Sequence, residues 1–323
     1  MSLDILLANL LNPPVLFFFL GMLAVWVKSD LEIPQPVPKL LSMYLLLAIG
    51  FKGGSELAHS GFSREVATAM GAAMVMALVV PIYCFFILRW KMNVPNAAAV
   101  AATFGSVGAV TFIAAAALLD EYKLPYSGHM VAALAIMESP AIIAGVLLAR
   151  WYGTKDEDKG YHWSELLRDA FFNGSIFVLV GSLIIGMLTG ERGGEALKPF
   201  THDLFKGVLC LFLLDMGIVS ARRLTASKTI GWFEFTFSLV VPLLNGIPAL
   251  VIGYYAGWSQ GDTLLFASLC GSASYIAVPA AMRLALPEAN PGLYVTMALA
   301  ITFPFNVIIG LPVYMTIIKH FWI

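Results

Sequence analysis

Two carboxylates lie inside strongly apolar stretches of the sequence, where an ionised side chain carries a large free-energy cost. Glu138 stands in ALAIMESPAIIAG, and Asp215 stands in LFLLDMG. Either carboxylate would cost several kcal/mol if it faced lipid, so both are expected to face the interior of a helix bundle. Glu138 is therefore a candidate sodium ligand or proton carrier. The alternative is a structural carboxylate paired with Lys52 or with a backbone amide, and a functional and a structural role are equally open for Asp215.

Small and hydroxyl-bearing residues interrupt two other apolar stretches. Relative to alanine, a glycine costs about 1 kcal/mol and a proline about 3 kcal/mol in a helix interior. Unwound backbone at membrane depth must be buried in protein or line a wet cavity. Two half-helix N-termini that meet there would favour a small anion, and nearby oxygens could hold sodium. The candidate substrate-binding residues are Gly105, Ser106, Gly108 and Thr111 in one stretch and Gly271, Ser272 and Ser274 in the other, which also holds Pro279. The alternative is a packing seam of small residues.

Asn306, which follows Pro304 in the last apolar stretch, is a third candidate for ion coupling. Its amide could ligate an ion or bridge two helices. The histidines fall near the ends of apolar stretches or between them, and none has a second histidine at metal-ligand spacing. The deep serines have no deep histidine that could act as a base, which argues against an intramembrane hydrolase. We therefore expect no enzyme and no cofactor other than a coupling ion.

The composition places the chain outside the class of soluble proteins. Of its 323 residues, 59% are hydrophobic and 12% are charged, and the mean hydropathy is +0.84. A soluble domain has about 25% charged residues, so too few polar side chains remain here to cover a core in water. The net charge of −1 offers no positive field for nucleic acid. The sequence predicts an all-α integral membrane protein, because an open sheet could not satisfy its backbone in lipid.

Ten stretches are long and apolar enough to be transmembrane helices. They divide the chain into a first group of five spans within residues 1–152, a polar linker at 153–169 and a second group of five within 170–323. By Lys and Arg counts, seven cations lie on the side of both termini and twelve on the side of the linker. The positive-inside rule then predicts a cytoplasmic linker and both termini outside. The predicted spans are roughly 13–28, 38–58, 66–90, 96–119, 128–151, 170–190, 203–221, 229–257, 262–286 and 292–319.

Short matches between the two groups of spans indicate an internal repeat. Gly50 and Gly217 coincide, with neighbouring leucines, at an offset of 167 between spans two and seven. The Gly-Ser pairs 105–106 and 271–272 coincide at an offset of 166 in spans four and nine, and ALAI recurs at 133–136 and 298–301. Repeats of five spans must insert in opposite senses, which is the inverted arrangement of many secondary transporters. Spans four and nine are then the matching broken helices.

Four stretches carry a family resemblance: IGFKGGSEL, FGSVGAVTFIAAAALLDE, MESPAII and GSASYIAVPAAMRLALPEANPGLY. They resemble the sodium-dependent bicarbonate transporters first known from cyanobacteria, over the length from span two to span ten. The resemblance implies ten spans in two inverted five-helix repeats, a crossed pair of broken helices 4 and 9, and a homotrimer in the bacterial inner membrane. It also implies sodium-coupled uptake of bicarbonate and a PII-like regulatory protein on the cytoplasmic side.

The family's site residues are carried over by position. Gly105, Ser106, Gly108 and Thr111 match its substrate-binding break in span four, and Gly271, Ser272 and Ser274 match the break in span nine. Glu138 matches an acidic residue before a helix-interrupting proline. The cyanobacterial members have more serine at both breaks and an acidic residue in the second. Here those places read Gly-Ala-Val at 108–110 and Ser-Tyr-Ile at 274–276.

Three functional hypotheses follow. The first is a sodium symporter that imports a small monovalent anion, with bicarbonate as the leading candidate, by rigid-body movement of one bundle against the other. The second is a sodium/proton antiporter on the same kind of scaffold, with Glu138 or Asp215 as the exchanging carboxylate. The third is a membrane enzyme or receptor without transport, against which the absence of a deep nucleophile–base pair and of a soluble domain counts.

Overall fold

The computed structural model describes residues 9–34, 36–60, 63–153, 167–168, 171–226 and 230–322. Over these ranges the chain is helical and holds no strand, as the sequence predicts. Most of the predicted linker at 153–169 lies outside the described residues. The helices, in chain order, are α1 Pro13–Trp26, α2 Pro36–Ser60, α3 Arg64–Leu88, α4 Val94–Gly105, α5 Ala109–Tyr122, α6 His129–Tyr152, α7 Gly174–Lys198, α8 Phe205–Ala226, α9 Trp232–Ala256, α10 Gln260–Cys270, α11 Ala277–Ala285 and α12 Pro291–Phe321.

Seven helical stretches among the described residues are long and apolar enough to cross a membrane. They are Pro36–Ala58, Arg64–Leu88, Val94–Tyr122, His129–Tyr152, Gly174–Ala226, Trp232–Ala256 and Pro291–Phe321. The fifth contains two helices, α7 and α8, joined by a π-helical turn at Pro199–Asp203. The predicted first span is the 14-residue helix α1, and the predicted ninth is the pair of short helices α10 and α11. The protein is thus a multi-pass membrane protein, and the count of ten spans stays a prediction.

Several helices begin where the sequence offers a capping side chain. The side chains of Ser63, Asn93, Asn173 and Ser259 accept hydrogen bonds from backbone N–H groups in the first turns of α3, α4, α7 and α10. Such caps satisfy N–H groups that have no partner within the helix. The ends of these helices are therefore fixed by local sequence, and apolar burial fixes the rest.

The helices form two bundles. The first bundle consists of α1, α2, α7 and α8, in which α2 packs along α7 and α1 packs along α8. Glycines allow the close approach in both pairs. A methyl group at Gly217 would clash with the carbonyl oxygen of Phe18 on α1, and one at Gly50 would clash with Ser182 and the carbonyl of Leu179 on α7. The repeat-matched glycines therefore occupy corresponding helix contacts.

The second bundle contains α3, α4, α5, α6 and α9 to α12, and it holds both broken spans. Its two halves contain similar contacts. Gly105, at the end of α4, lies against the ring of Pro81 on α3, and Gly271, just after α10, lies against the carbonyl oxygen of Pro242 on α9. In addition, Tyr83 on α3 donates a hydrogen bond from its hydroxyl to the side-chain oxygen of Asn245 on α9. The broken spans thus sit in a closely packed, largely buried setting.

Candidate functional site

Both predicted interruptions are present in the structure. Helix α4 ends at Gly105, residues 106–108 are non-helical, and α5 begins at Ala109. Helix α10 ends at Cys270, residues 271–276 are non-helical, and α11 begins at Ala277. Each span therefore places a new helix N-terminus within its own length, and the N–H groups of that first turn have no partner within the helix.

Hydrogen bonds join the two interruptions directly. The backbone N–H of Gly108 donates to Ser272 Oγ at 2.7 Å, and the backbone N–H of Ser274 donates to the carbonyl oxygen of Thr103 at 2.8 Å. Ser272 in turn donates its hydroxyl to the carbonyl oxygen of Leu269 at 2.8 Å. The Ser272 hydroxyl is thus used as both donor and acceptor, and it fixes one break against the other.

A small cavity of about 20 Å³ adjoins the breaks and is called the inner cavity here. The second bundle contributes both breaks and helix α6, which supplies Leu134 and the carboxylate residue Glu138. The first bundle contributes α2 and α7, so the inner cavity lies on the boundary between the bundles. Its lining residues are Leu46, Val107, Gly108, Ala109, Leu134, Glu138, Ser175, Leu179, Ser274, Tyr275 and Ile276.

Two helix N-termini face this region. The 14-residue helix α5 starts from Gly108, and the nine-residue helix α11 starts from Ile276. Ser274 Oγ accepts a hydrogen bond from the N–H of Val278 at 3.3 Å and so caps α11. Pro279 has no N–H, so α11 offers fewer unbonded donors than α5. The remaining N–H groups and the positive ends of the two helix dipoles favour an anion. Glu138, 7% exposed, adds a carboxylate that favours a cation.

Other predicted residues surround the inner cavity without lining it. Ser106 is buried and donates its hydroxyl to the backbone carbonyl of Glu138 at 3.4 Å. Thr111 is buried in the first turn of α5, where its N–H donates to the carbonyl of Gly108 at 2.9 Å. Of the seven predicted substrate-binding residues, Gly108 and Ser274 line the inner cavity, and Gly105, Gly271 and Ser272 lie in or beside the breaks.

The predicted ion-coupling residues lie in three different places. Glu138 lines the inner cavity, and Asp215 is buried on α8 without being among the described residues that line it. Asn306 on α12 donates its amide to the carbonyl oxygen of Gly271 at 2.7 Å. Its Oδ1 is buried and has no hydrogen-bond partner within the described part of the chain. Asn306 therefore bridges α12 to the second break and leaves its side-chain oxygen without a donor.

Two lining residues could not be selected from the sequence. Ser175 comes from the first turn of α7, in the first bundle, and Tyr275 comes from the second break. The Tyr275 ring packs edge-on against Phe303 at 5.8 Å, and its buried hydroxyl has no hydrogen-bond partner among the described residues. A buried donor without a partner is costly, which makes this hydroxyl available to a bound species. The only feature of the sequence that pointed to Tyr275 was its position next to Ser274.

Lys52 is paired away from Glu138. Its Nζ lies 3.4 Å from Asp120 Oδ1 at the end of α5, and 4.7 Å from the centre of the Tyr126 ring. Burial raises the pKa of the Tyr126 phenol, which follows α5 in a loop, although the Lys52 charge acts in the opposite direction. The structural interpretation of Glu138 as a partner of Lys52 is therefore wrong. The pair instead joins α2 of the first bundle to α5 of the second.

Comparison with known proteins gives one match. A family model described as the Na⁺-dependent bicarbonate transporter superfamily matches residues 13–319 of the chain. A search of curated proteins finds no match. The family match covers both bundles, both breaks and all ten candidate site residues.

Proposed function

Because the chain belongs to the Na⁺-dependent bicarbonate transporter superfamily, we propose that it is a secondary transporter that imports a small anion, bicarbonate first among them, together with sodium. The observation that carries this proposal is the inner cavity, which combines two helix N-termini with the carboxylate of Glu138. Such a site presents N–H donors for an anion and a carboxylate for a cation at short range. The charge of one then offsets the charge of the other.

The anion would bind where backbone N–H groups are available. Gly108 and Ser274 bring the starts of α5 and α11 to the inner cavity, and the Tyr275 hydroxyl adds one further donor. Fewer serines are present than in the cyanobacterial relatives, so backbone donors would provide most of the binding. Ser272 and Ser106, whose hydroxyls bond within the protein, would position the breaks.

Sodium would bind on the carboxylate side of the same region. Sodium is a hard cation and prefers oxygen ligands, as calcium and magnesium do. Glu138 offers carboxylate oxygens, and the unused Oδ1 of Asn306 offers an amide oxygen next to the second break. Asp215, on α8 of the other bundle, does not line the inner cavity and would act on the coupling ion away from this site. Coupling would follow because the bound cation lowers the cost of holding the anion in a dry site.

Alternating access would arise from movement of one bundle against the other, with the inner cavity on their boundary. The proposed inverted repeat, over 1–152 and 170–323, is supported by corresponding contacts. If each span of the first half is matched to the corresponding span of the second, the contact between α2 and α7 corresponds to the contact between α8 and α1. In the same way, the contact of Gly105 with Pro81 corresponds to the contact of Gly271 with Pro242. Two halves with matched contacts can exchange roles, which opens the site to each side in turn.

The test is uptake of labelled bicarbonate into proteoliposomes, with and without an inward sodium gradient. We expect sodium-dependent accumulation, its loss in Glu138→Gln, and an increase in KM of about fivefold in Ser274→Ala, since one capping bond is worth about 1 kcal/mol. Glu195→Gln, at an exposed position of α7, and Ser268→Ala, which bonds only within α10, are the matched controls.

The same vesicles distinguish the alternatives. Sodium-driven acidification or alkalinisation without bicarbonate uptake would replace the symporter by the sodium/proton antiporter. Unchanged sodium dependence in Glu138→Gln would remove Glu138 from the sodium site while leaving anion transport in place. Equal effects of Ser274→Ala and Ser268→Ala would reject the assignment of the second break to the anion.

A further inference from the structure

A wide, partly open cavity adjoins the inner cavity, and we call it the vestibule. It has a volume of about 430 Å³ and is lined by residues of α2, α7, α8, α11 and α12 and of the second break. Ser175, Tyr275 and Ile276 line both the vestibule and the inner cavity, so the two spaces are adjacent.

The charges on those walls are of one sign. Lys39 on α2 and Arg223 on α8 line the vestibule, and no carboxylate is present among its described lining residues. Arg283 on α11 is close enough to act electrostatically on Arg223. The neighbouring Arg222, in contrast, lies 3.8 Å from the carboxylate of Glu32. Among the described lining residues, no negatively charged side chain therefore offsets the positive charge of the vestibule.

The surroundings of the Arg223 guanidinium suit the binding of an anion. It is partly buried, and its Nε atom is buried without a hydrogen-bond partner among the described residues. A guanidinium with an unused N–H in a partly dry cavity is suited to the oxygen atoms of a small oxyanion, which it can bind with two parallel hydrogen bonds. Arg222, with its exposed ion pair, has no such setting.

On the opposite side of the protein lies a small cavity. It is lined by Lys52, Asp120 and Tyr126 with five other residues, and it shares no lining residue with the inner cavity. The Lys52–Asp120 contact lies on this side and joins the two bundles. The vestibule, in contrast, shares three lining residues with the inner cavity and so is the cavity next to the site.

We propose that the vestibule is a second anion-binding site, in which Arg223 binds the transported oxyanion on its way to or from the inner cavity and Lys39 adds to the positive potential. The proposal rests on the proposed function for the identity of the anion, which is bicarbonate or an oxyanion of similar size. The positive potential itself does not depend on transport, so it can be measured separately.

The first experiment measures that potential with a cysteine in the vestibule. Ala280→Cys on α11 is placed in a protein whose half-exposed Cys210 is changed to Ser, since Cys84 and Cys270 are buried. Its reaction rates with a negatively charged and a positively charged methanethiosulfonate reagent are compared in detergent. We expect the ratio of rates to favour the anionic reagent and to fall by about threefold or more in Arg223→Gln.

The matched control is Arg222→Gln, which removes the same charge one residue away and outside the vestibule. An equal fall of the ratio in both variants, or no fall in Arg223→Gln, would overturn the proposal. Ser42→Cys on α2 is a second reporter position in the same walls. Absence of reaction at both positions with both reagents would also overturn it, because the vestibule would then hold no water.

The second experiment measures transport. In proteoliposomes we expect Arg223→Gln to raise the KM for bicarbonate about tenfold with little change in kcat, and Arg223→Lys to restore part of the affinity. Lys206→Gln, which removes an exposed cation at the start of the same helix, should behave as the unchanged protein. An unchanged KM in Arg223→Gln contradicts the proposal. Absence of bicarbonate uptake by the unchanged protein instead contradicts the proposed function, and the rate ratios still decide whether the vestibule attracts anions.

Discussion

The backbone N–H of Gly108 donates a hydrogen bond of 2.7 Å to Ser272 Oγ, which joins the break of one span to the break of the other. The two residues are 164 positions apart in sequence, and both are fully or almost fully enclosed. This contact holds the start of α5 against the second break. The geometry of the inner cavity therefore depends on a serine that does not line it.

Ser272→Ala is expected to destabilise the protein. The N–H of Gly108 would lose its partner in a buried place, which costs about 1–3 kcal/mol. Ser268→Ala removes a buried hydroxyl that bonds only to the carbonyl of Leu265 in its own helix, and it should cost less. Thermal melting of both variants in one detergent measures the difference. Equal melting temperatures would show that the Gly108–Ser272 contact contributes nothing.

Gly105→Ala is expected to destabilise the first break. The added methyl group would clash with the ring of Pro81, so α3 and α4 would have to move apart, at a cost of about 1–3 kcal/mol. Gly181→Ala on α7 is the matched control, because no atom lies within 4 Å of the added group, and it should be neutral or stabilising. The unfolding midpoints of both variants measure this. A neutral Gly105→Ala would mean that the close contact is not required.

Breaking the Lys52–Asp120 pair is expected to make the small cavity beside Lys52, on the side opposite the vestibule, more accessible to solvent. The two side chains are 24% and 28% exposed, so their interaction is worth about 0.5–1 kcal/mol, or about two- to fivefold in the population of the closed state. Thr201→Cys reports on this opening, because Thr201 lines the small cavity beside Lys52 and is only 8% exposed. Its labelling rate in the Cys210→Ser protein should rise by that factor in Lys52→Gln and in Asp120→Asn.

The charge-exchanged double variant, Lys52→Asp with Asp120→Lys, should return the labelling rate towards that of the unchanged pair. Lys206→Gln removes an exposed cation at the start of α8 and serves as the control for charge alone. If Lys206→Gln raises the rate as much as Lys52→Gln does, general electrostatics, and not the ion pair, determines the opening.

Tyr126 is expected to make stability fall at alkaline pH. Burial raises the pKa of its phenol above the ordinary 10.0, despite the nearby Lys52 charge. A group whose pKa is raised on folding contributes stability that is present below the unfolded pKa and is lost as the pH rises through the folded value. The melting temperature should therefore fall above about pH 10.

Tyr126→Phe cannot ionise and should reduce this alkaline loss, whereas Tyr255→Phe, at a position that is 84% exposed, should not. Melting curves recorded at neutral pH and at about pH 10.5 measure both variants. The same alkaline loss in Tyr126→Phe and in the unchanged protein would show that other groups control it.

Local signals were enough to predict the breaks. Gly105, Gly108 and Gly271 weaken helix in two apolar stretches, and the structure interrupts both. Glu138 was found for a similar reason, since a carboxylate in an apolar stretch must face the interior. The ion pair of Lys52 could not be derived, because its partner Asp120 is 68 positions away in the chain and was not a candidate from the sequence.

Hydropathy was sufficient to predict a helical membrane protein, because apolar stretches of about 20 residues satisfy their backbone in lipid as helices, and the glycines within two stretches predicted the breaks. Which residues meet depends on how the helices pack. Tyr275 and Ser175 line the inner cavity, and Arg223 and Lys39 line the vestibule, because helices of two bundles pack side by side. The hydrophobic periodicity of a single helix does not identify such contacts, because each helix packs against partners that are far away in the chain.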